Sequence, residues 1–260
     1  MSEFAKKTVV ITGGTRGIGR GIAAAFLRDG AEVYVCGRSA PDSLPEYHGR
    51  PARFVQADVR NEEQVQSVID HILEETGRLD ILVNNAGGSP EVEAASASPR
   101  FSESVIRLNL IAPLIFSQKA HASLRASGGS IINIASVSGI RPSPGTAAYG
   151  AAKAGLINLT QSLAQEWGPE IRVNCIIAGL MQTEAAGDHY EGRDGIDRIA
   201  DSLPLKRFGT PRDIASACLF LASSAASYVS GASLEVTGGG EPPVHRVLAN
   251  QFRTEQDGPE

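Results

Sequence analysis

Residues 8–19 read TVVITGGTRGIG, an apolar run that leads into a turn with glycines at positions 13, 17 and 19. The β-branched run Thr8–Thr12 predicts a strand, and the apolar pattern from Gly17 to Asp29 predicts a helix that Gly30 ends. Such a turn is where an open parallel sheet binds a dinucleotide, because glycine lets a pyrophosphate approach the backbone and the helix N-terminus attracts anions. The spacing here is G-x-x-x-G-x-G, whereas G-x-G-x-x-G is the more common form.

Strand and helix patterns alternate along the rest of the chain. Further strands are predicted at 31–36, 53–57, 79–83, 130–135, 171–177 and 233–236, and helices at 61–76, 101–124 (with a bend near Pro113), 147–166 and 211–222. Nearly continuous apolar strands between helices are typical of a parallel sheet covered on both faces. We predict an α/β fold of the Rossmann type: a doubly wound, mainly seven-stranded parallel sheet in a single domain, residues 1–240. A polar tail with three prolines follows at 241–260.

Composition excludes several classes of function. The 260 residues carry a net charge of −5, and the scattered basic residues argue against nucleic acid or an anionic membrane as a partner. The three cysteines (Cys36, Cys175, Cys218) are far apart, and the five histidines show no metal-ligand spacing, so we predict neither a disulfide nor a metal site. No apolar run is long enough to cross a membrane, and the first residues lack the apolar core of a secretion signal. These features predict a cytoplasmic protein.

The end of the second predicted strand indicates which dinucleotide is bound. Sites for NAD usually place an acid there to bind the ribose 2′-hydroxyl, but this chain reads Cys36-Gly37-Arg38-Ser39. The Arg38 guanidinium could hold a 2′-phosphate, and Arg16 in the glycine-rich turn could reach the same group. The sequence therefore favours NADP(H).

A second pair of reactive side chains lies in residues 147–153, AAYGAAK. Tyr149 and Lys153 are four residues apart and so share one face of the predicted helix. The phenol has an ordinary pKa of about 10, which suits proton transfer at neutral pH poorly. A neighbouring ammonium favours the phenolate and lowers that pKa, so the pair is suited to acid–base chemistry.

These motifs, in their order and spacing, resemble those of the short-chain dehydrogenase/reductase family in its compact form, over residues 7–240. The pieces that carry the resemblance are TGGTRGIG (12–19), Asp58-Val59, NNAG (84–87), Asn109 in RLNLIAP, Ser136 in INIAS, YGAAK (149–153), AGLMQT (178–183) and the C-terminal SYVSGASLEVTGGG.

The resemblance implies a catalytic tetrad of Asn109, Ser136, Tyr149 and Lys153. Tyr149 would exchange a proton with the substrate oxygen, and Ser136 would hydrogen-bond the same oxygen. Lys153 would lower the pKa of Tyr149 and hold the nicotinamide ribose. Asn109 would keep a water that links Lys153 to solvent.

The resemblance also implies a set of cofactor contacts. Asp58 would accept a hydrogen bond from the adenine amine with Val59 beside it, and the segment after the sixth strand would hold the nicotinamide carboxamide. The full set comprises Gly13, Thr15, Arg16, Gly17, Ile18, Gly19, Arg38, Asp58, Val59, Asn85, Ala86, Gly87, Tyr149, Lys153, Gly179, Met181 and Thr183.

Two segments depart from the family pattern, which usually has Pro-Gly where this chain has Ala178-Gly179, and Asp-Gly-Gly near the final strand where this chain has residues 237–240, TGGG. The segment 184–203 corresponds to the part that covers the substrate in the family, and it contains no apolar stripe to suit a steroid or lipid. Ser138, Ile140 and Arg141 are candidates for the pocket wall. Family members of this length usually form homotetramers, or sometimes homodimers.

The expected activity is hydride transfer between NADP(H) and a small-molecule carbonyl or secondary alcohol. Three alternatives stay open. The first is a 3-oxoacyl-thioester reductase, although the rim stretches 125–129 and 166–170 offer few basic residues to an acidic carrier protein. The others are an NAD-linked alcohol dehydrogenase and a non-catalytic regulator that senses NADP.

Overall fold

Seven parallel strands form one sheet at the centre of the computed structural model, which describes residues 2–184, 192–243 and 245. The strand order is β5-β2-β1-β6-β7-β8-β9, so the order reverses direction beside β1, as in a doubly wound sheet. The strands are β1 (Thr8–Thr12), β2 (Glu32–Gly37), β5 (Arg53–Gln56), β6 (Ile81–Asn84), β7 (Ser130–Ser136), β8 (Arg172–Ala178) and β9 (Ser233–Val236), with a short hairpin of β3 (Glu46–Tyr47) and β4 (Arg50–Pro51) outside the sheet. This sheet confirms the predicted fold class.

Helices cover both faces of the sheet. They are α1 (Gly17–Arg28), α2 (Glu62–Thr76), α3 (Pro99–Ile106), α4 (Ala112–Ser127), α5 (Ala147–Trp167), α6 (Gly192–Ser202) and α7 (Pro211–Ala222). Successive strand residues point to opposite faces of the sheet, and each face has its own hydrophobic core. Val9 packs in one core with Phe26 of α1 and Ile214 of α7, whereas Val10 packs in the other with Ile69 of α2 and residues of α4 and α5. This alternation explains why the strands read as continuous apolar runs.

The predicted helix over 101–124 is divided in the structure. Helix α3 ends at Ile106, a π-helical turn follows at Arg107–Ile111, and α4 begins at Ala112. Pro113 lies in the first turn of α4, where its missing N–H interrupts the regular helix. The interruption therefore lies just before the expected bend, and it contains Asn109.

A chain of buried polar side chains connects α4 and α5 through the sheet. The Asn84 amide donates to Asn133 Oδ1 at 2.9 Å and to Ser117 Oγ on α4 at 3.1 Å. The Asn133 amide in turn donates to Thr160 Oγ1 on α5 at 2.9 Å. Because buried polar groups are stable only when they are hydrogen-bonded, this network fixes how the two helices sit on the sheet.

Two elements were not expected from the sequence pattern. One is the β3–β4 hairpin, and the other is α6, which lies inside the segment 184–203 where the sequence predicts only a covering segment. Residues 185–191 of that segment, with His189 and Tyr190, lie outside the described residues, as does most of the tail at 241–260. Within the described part of the chain, no helix has the length and hydropathy of a membrane span.

Candidate active site

The glycine-rich turn between β1 and α1 is tightly closed. Gly13 has a φ of +64°, and its N–H donates to the Cys36 carbonyl at 2.9 Å. A Cβ on Gly19 would overlap the Gly13 carbonyl oxygen, and a Cβ on Gly14 would lie 2.5 Å from the Val35 side chain. The turn therefore needs glycine at these positions, because no side chain fits without moving the backbone.

The NNAG segment is fastened to this turn by Thr12. The Thr12 hydroxyl accepts hydrogen bonds from the N–H groups of Asn85 at 3.0 Å and Ala86 at 2.9 Å. The Asn85 amide donates to the Thr12 carbonyl at 2.9 Å and to the Gly13 carbonyl at 3.2 Å. Two segments that are 73 residues apart in sequence thereby form one rigid edge at the carboxyl ends of β1 and β6.

The N-terminus of α1 contacts an acidic side chain from the other half of the chain. The N–H of Gly17, the first residue of α1, donates to Glu184 Oε2 at 3.1 Å. Thr183, a predicted cofactor contact, lies against the same glycine, since a Cβ there would be 3.6 Å from the Thr183 methyl group. The segment that follows β8 thus reaches the glycine-rich turn.

Arg38 and Asp58 lie at the carboxyl ends of β2 and β5, on the expected adenosine side. Arg38 is exposed, and its carbonyl accepts from Gln56 Nε2 at 2.9 Å. Asp58 is held by Arg60, whose Nε donates to Asp58 Oδ1 at 2.9 Å and whose Nη2 donates to Oδ2 at 2.6 Å. Hydrogen bonds from Arg60 hold the pKa of Asp58 below its ordinary value, and the charge of Arg38 lowers it further. The sequence reasoning did not single out Arg60, although its place two residues after Asp58 is a usable signal.

Asn109 is fully buried in the π-helical turn. Its Oδ1 accepts from the Gly88 N–H, and its Nδ2 donates to the Gly88 and Val105 carbonyls, each at 2.9 Å. A Cβ on Gly87 would lie 2.6 Å from Asn109 Oδ1 and 3.2 Å from Lys153 Nζ. Asn109 and Lys153 therefore face the same glycine.

Lys153 is the only lysine that is buried among the described residues, with 4% of its surface exposed. Its Nζ donates to the Ile134 carbonyl at 2.8 Å and lies 5.6 Å from the centre of the Tyr149 ring. Burial lowers the pKa of Lys153 from 10.5 to about 8, and only Cys175 opposes this effect. The arrangement places a cation next to the phenol in a site of low polarity, where charges interact strongly.

Ser136 ends β7, and its Oγ accepts from the Ser138 N–H at 3.2 Å. The short helical turn Val137–Gly139 that follows packs closely on α5. A Cβ on Gly139 would lie 2.8 Å from the Lys153 backbone, and a Cβ on Gly150 would lie 2.8 Å from the Ser138 carbonyl. This close approach explains the small residues next to Tyr149.

The two segments that depart from the family pattern lie next to each other, at the ends of β8 and β9. The Gly179 N–H donates to the Val236 carbonyl at 3.0 Å, and a Cβ on Gly179 would lie 2.8 Å from the Thr237 backbone. The three glycines 238–240 all have positive φ. Met181 bridges to Gly209, so the predicted nicotinamide segment is tied to the loop before α7.

Of the candidates for the pocket wall, Arg141 has a charged partner. Its Nη2 donates to Glu241 Oε1 at 2.6 Å, which connects the loop after Ser136 to the start of the tail. Ile140 is half exposed beside it. Among the residues that the structure describes, no three histidine, cysteine or acidic side chains are grouped as metal ligands would be.

Comparison with known proteins places this geometry in a family. The family model described as enoyl-(acyl carrier protein) reductase matches residues 13–241. The chain is 37% identical to the 3-oxoacyl-[acyl-carrier-protein] reductase FabG of Chlamydia trachomatis over 90% of this chain and 96% of that protein. It is 37% identical to the L-fucose dehydrogenase of Oryctolagus cuniculus over 92% of this chain and 87% of that protein.

A solved structure agrees with these relatives. The aldohexose dehydrogenase AldT of Thermoplasma acidophilum superimposes with a TM-score of 0.86 at 32% identity, over 92% of this chain and 95% of that one. The family of these proteins consists of oxidoreductases that use nicotinamide cofactors. The chain belongs to the short-chain dehydrogenase/reductase family.

Proposed function

We propose that the protein transfers a hydride between NADP(H) and the carbonyl or secondary alcohol carbon of a small molecule. The observation that carries this proposal is the buried ammonium of Lys153, 5.6 Å from the Tyr149 ring and beside Asn109. A buried, charged lysine is unfavourable for folding, so its presence next to a phenol supports a catalytic role for the pair.

The residues at the glycine-rich turn fit a dinucleotide. The closed turn at Gly13 and Gly19 leaves no side chain between the backbone and a diphosphate, and α1 begins at that point. Asn85 and Ala86 would lie along the adenosine ribose, and Asp58 would accept from the adenine amine. NADP(H), when bound, supplies or accepts the hydride.

Arg38 supports the choice of NADP(H) over NAD(H). It is exposed at the carboxyl end of β2, where NAD sites carry an acid, and no acidic residue follows it before Asp42. Arg38 would hold the 2′-phosphate together with Arg16, because a guanidinium presents paired donors that match phosphate oxygens.

The chain's own residues supply the proton chemistry. In the direction of reduction, the Tyr149 hydroxyl gives a proton to the carbonyl oxygen, and the Ser136 hydroxyl hydrogen-bonds that oxygen. Lys153 stabilises the phenolate that remains. Since its own pKa is about 8, Lys153 is mostly protonated at neutral pH and loses its charge as the pH rises above about 8. Asn109, held by Gly88, would position the water through which Lys153 regains a proton.

A 3-oxoacyl thioester is the second candidate for the substrate, because the chlamydial relative is named for that activity. Against it, Arg125 at the expected rim is already paired with Glu170 at 3.2 Å and offers little to an acidic carrier. The fucose and aldohexose relatives make sugars a further class to test. We also propose a cytoplasmic location and a homotetramer or homodimer, with residues 241–260 as a tail outside the domain.

The test is oxidation of NADPH with β-keto esters, quinones, diketones, aldoses and 3-oxoacyl thioesters. We expect Tyr149→Phe to lower the rate at least about a hundredfold, which is a typical contribution of a general acid, while NADPH binding stays unchanged. Tyr228→Phe is the matched control, because Tyr228 is fully exposed and should leave the rate unchanged. Turnover that survives in Tyr149→Phe would exclude the proposed acid. Tight NADPH binding without turnover of any compound would favour the alternative of a non-catalytic regulator that senses NADP.

A separate variant tests the preference for NADPH over NADH. Arg38→Asp places the missing acid at the end of β2, and we expect the ratio of kcat/KM for NADPH to that for NADH to fall at least about tenfold through loss of a charge-assisted contact. An unchanged ratio would remove Arg38 from the proposal and would favour an NAD-linked enzyme if NADH is the better substrate.

A further inference from the structure

We propose that the Glu184 carboxylate competes with the cofactor diphosphate for the N-terminus of α1, and so sets the affinity of the protein for its cofactor. The inference rests on the proposed function, because it assumes that a dinucleotide binds at the glycine-rich turn. It adds a residue that none of the sequence motifs contains.

The contact itself spans most of the chain. Glu184 lies 167 residues after Gly17, yet its Oε2 accepts the Gly17 N–H at 3.1 Å. This N–H is the first of the helix, and the helix N-terminus is where partial positive charge is concentrated. The carboxylate therefore occupies a position that suits a phosphate oxygen.

Helix α1, like α5, has no anionic group of its own at its N-terminus. Arg16 stands at its N-cap without a side-chain hydrogen bond, and its first turn contains no acidic residue. By contrast, α2 is capped by Asn61 and carries two glutamates in its first turn, and α7 has Asp213. The α1 terminus is thus left for an acceptor from outside the helix, and Glu184 fills that role.

The carboxylate and a diphosphate exclude each other at this point. One N–H cannot serve both acceptors fully, and two anions at the same helix end repel each other. Cofactor binding must therefore break the contact between Glu184 and Gly17. Because Thr183 precedes Glu184 and lies on the same glycine, the break also frees the end of the segment that we propose holds the nicotinamide.

Loss of the competing carboxylate should strengthen cofactor binding. A single helix-terminus contact of this kind corresponds to about a three- to tenfold change in an equilibrium constant. We expect Glu184→Gln and Glu184→Ala to lower the Kd for NADPH by that factor. Inorganic pyrophosphate should also become a stronger competitor against NADPH in both variants.

Adenosine 2′-phosphate provides an internal control, because it has the 2′-phosphate but no diphosphate. Its Kd should stay within about twofold in Glu184→Gln, since it reaches Arg38 and not α1. Glu166→Gln is the matched variant: Glu166 is an exposed glutamate near the end of α5, and its change should leave both affinities unaltered.

The measurement is fluorescence titration of each protein with NADPH, adenosine 2′-phosphate and pyrophosphate at one fixed, low salt concentration. An NADPH affinity that is unchanged or weaker in Glu184→Gln would overturn the inference, as would an equal gain in Glu166→Gln, which would indicate net charge alone. These results leave the proposed function standing. Wild-type protein that binds neither NADPH nor NADH would overturn the proposed function together with the inference.

Discussion

The buried ammonium of Lys153 should make the protein less stable than it would be without that charge. Burial lowers the pKa of Lys153 from 10.5 to about 8. At about 1.4 kcal/mol for each pH unit, this difference corresponds to about 3 kcal/mol of unfavourable charge burial at pH 7. Lys153→Met removes the charge but also the donor to the Ile134 carbonyl, which costs about 1 kcal/mol. We therefore expect the free energy of unfolding to rise by about 2 kcal/mol in the variant.

The sign of the pH dependence follows from the same two pKa values. Between about 8 and 10.5 the unfolded chain holds a proton on Lys153 that the folded protein has released. The stability of the wild type therefore increases with pH across that window, whereas Lys153→Met lacks this increase. The advantage of the variant should be full below pH 8 and smaller by about 2 kcal/mol at about pH 9.5.

Urea unfolding followed by circular dichroism, at equal protein concentration and without cofactor, measures both quantities. Lys119→Met is the matched control, because Lys119 pairs with Glu62 on the surface at 2.7 Å and should give only a slight loss of stability at either pH. The reasoning fails if Lys153→Met is no more stable than the wild type at pH 7. It fails equally if the advantage is the same at both pH values. Whatever the stability measurements show, Lys153→Met should be inactive if Lys153 has the proposed role.

Three further variants test the frame around the site. Gly19→Ala forces a Cβ onto a carbonyl oxygen of the same turn, so it should cost about 1–3 kcal/mol of stability and abolish the thermal shift on adding NADPH. Gly77→Ala should also lose stability, because Gly77 has a φ of +69°, but its Cβ would meet no other atom and it should preserve that shift. In Asp80, burial raises the pKa, but hydrogen bonds from neighbouring cations and from the first residue of β1 outweigh it and hold the pKa below its ordinary value. Asp80→Asn should thus cost about 2–3 kcal/mol at pH 7. The difference should begin to shrink as the pH falls below about 4, the ordinary pKa of the carboxyl, and should vanish only below the lower pKa of the folded state. A constant difference would contradict this. Asp213→Ala removes the acceptor for the N-cap of α7 and should cost about 1 kcal/mol in chemical denaturation, with no change in the Kd for NADPH.

The sequence allowed the sheet to be predicted because its five inner strands are mostly apolar on both sides, whereas the edge strands β5 and β9 are only partly buried. The predicted strand at 130–135 and the observed Ser130–Ser136 differ by one residue, and the other strands of the sheet agree within two. The relation of Tyr149 to Lys153 was equally accessible, since four residues in a helix fix both side chains on one face. Local periodicity was sufficient wherever neighbours in sequence are neighbours in space.

Features that depend on distant parts of the chain were not accessible in this way. Helix α6 was missed because its sequence is polar and begins among glycines, which favour loops. The contact of Glu184 with Gly17 has no signature in spacing, because it forms only when the segment after β8 reaches the turn after β1 in the folded sheet. The burial of Lys153 likewise arises only when Gly87 and Gly139 pack against it.

The π-helical turn at Arg107–Ile111 can be viewed as one residue too many in an otherwise continuous helix from Pro99 to Ser127. Removing one residue would restore regular helical hydrogen bonds through this region, and the widened turn would be lost. In a regular helix the Val105 carbonyl accepts the backbone N–H four residues later, in place of the Asn109 side chain. Asn109 could then no longer reach both Gly88 and Val105. The irregularity therefore fixes the number of residues in this part of the chain, and we expect a deletion here to be more harmful than most substitutions. A redesign that made the helix regular would remove the contacts that hold Asn109.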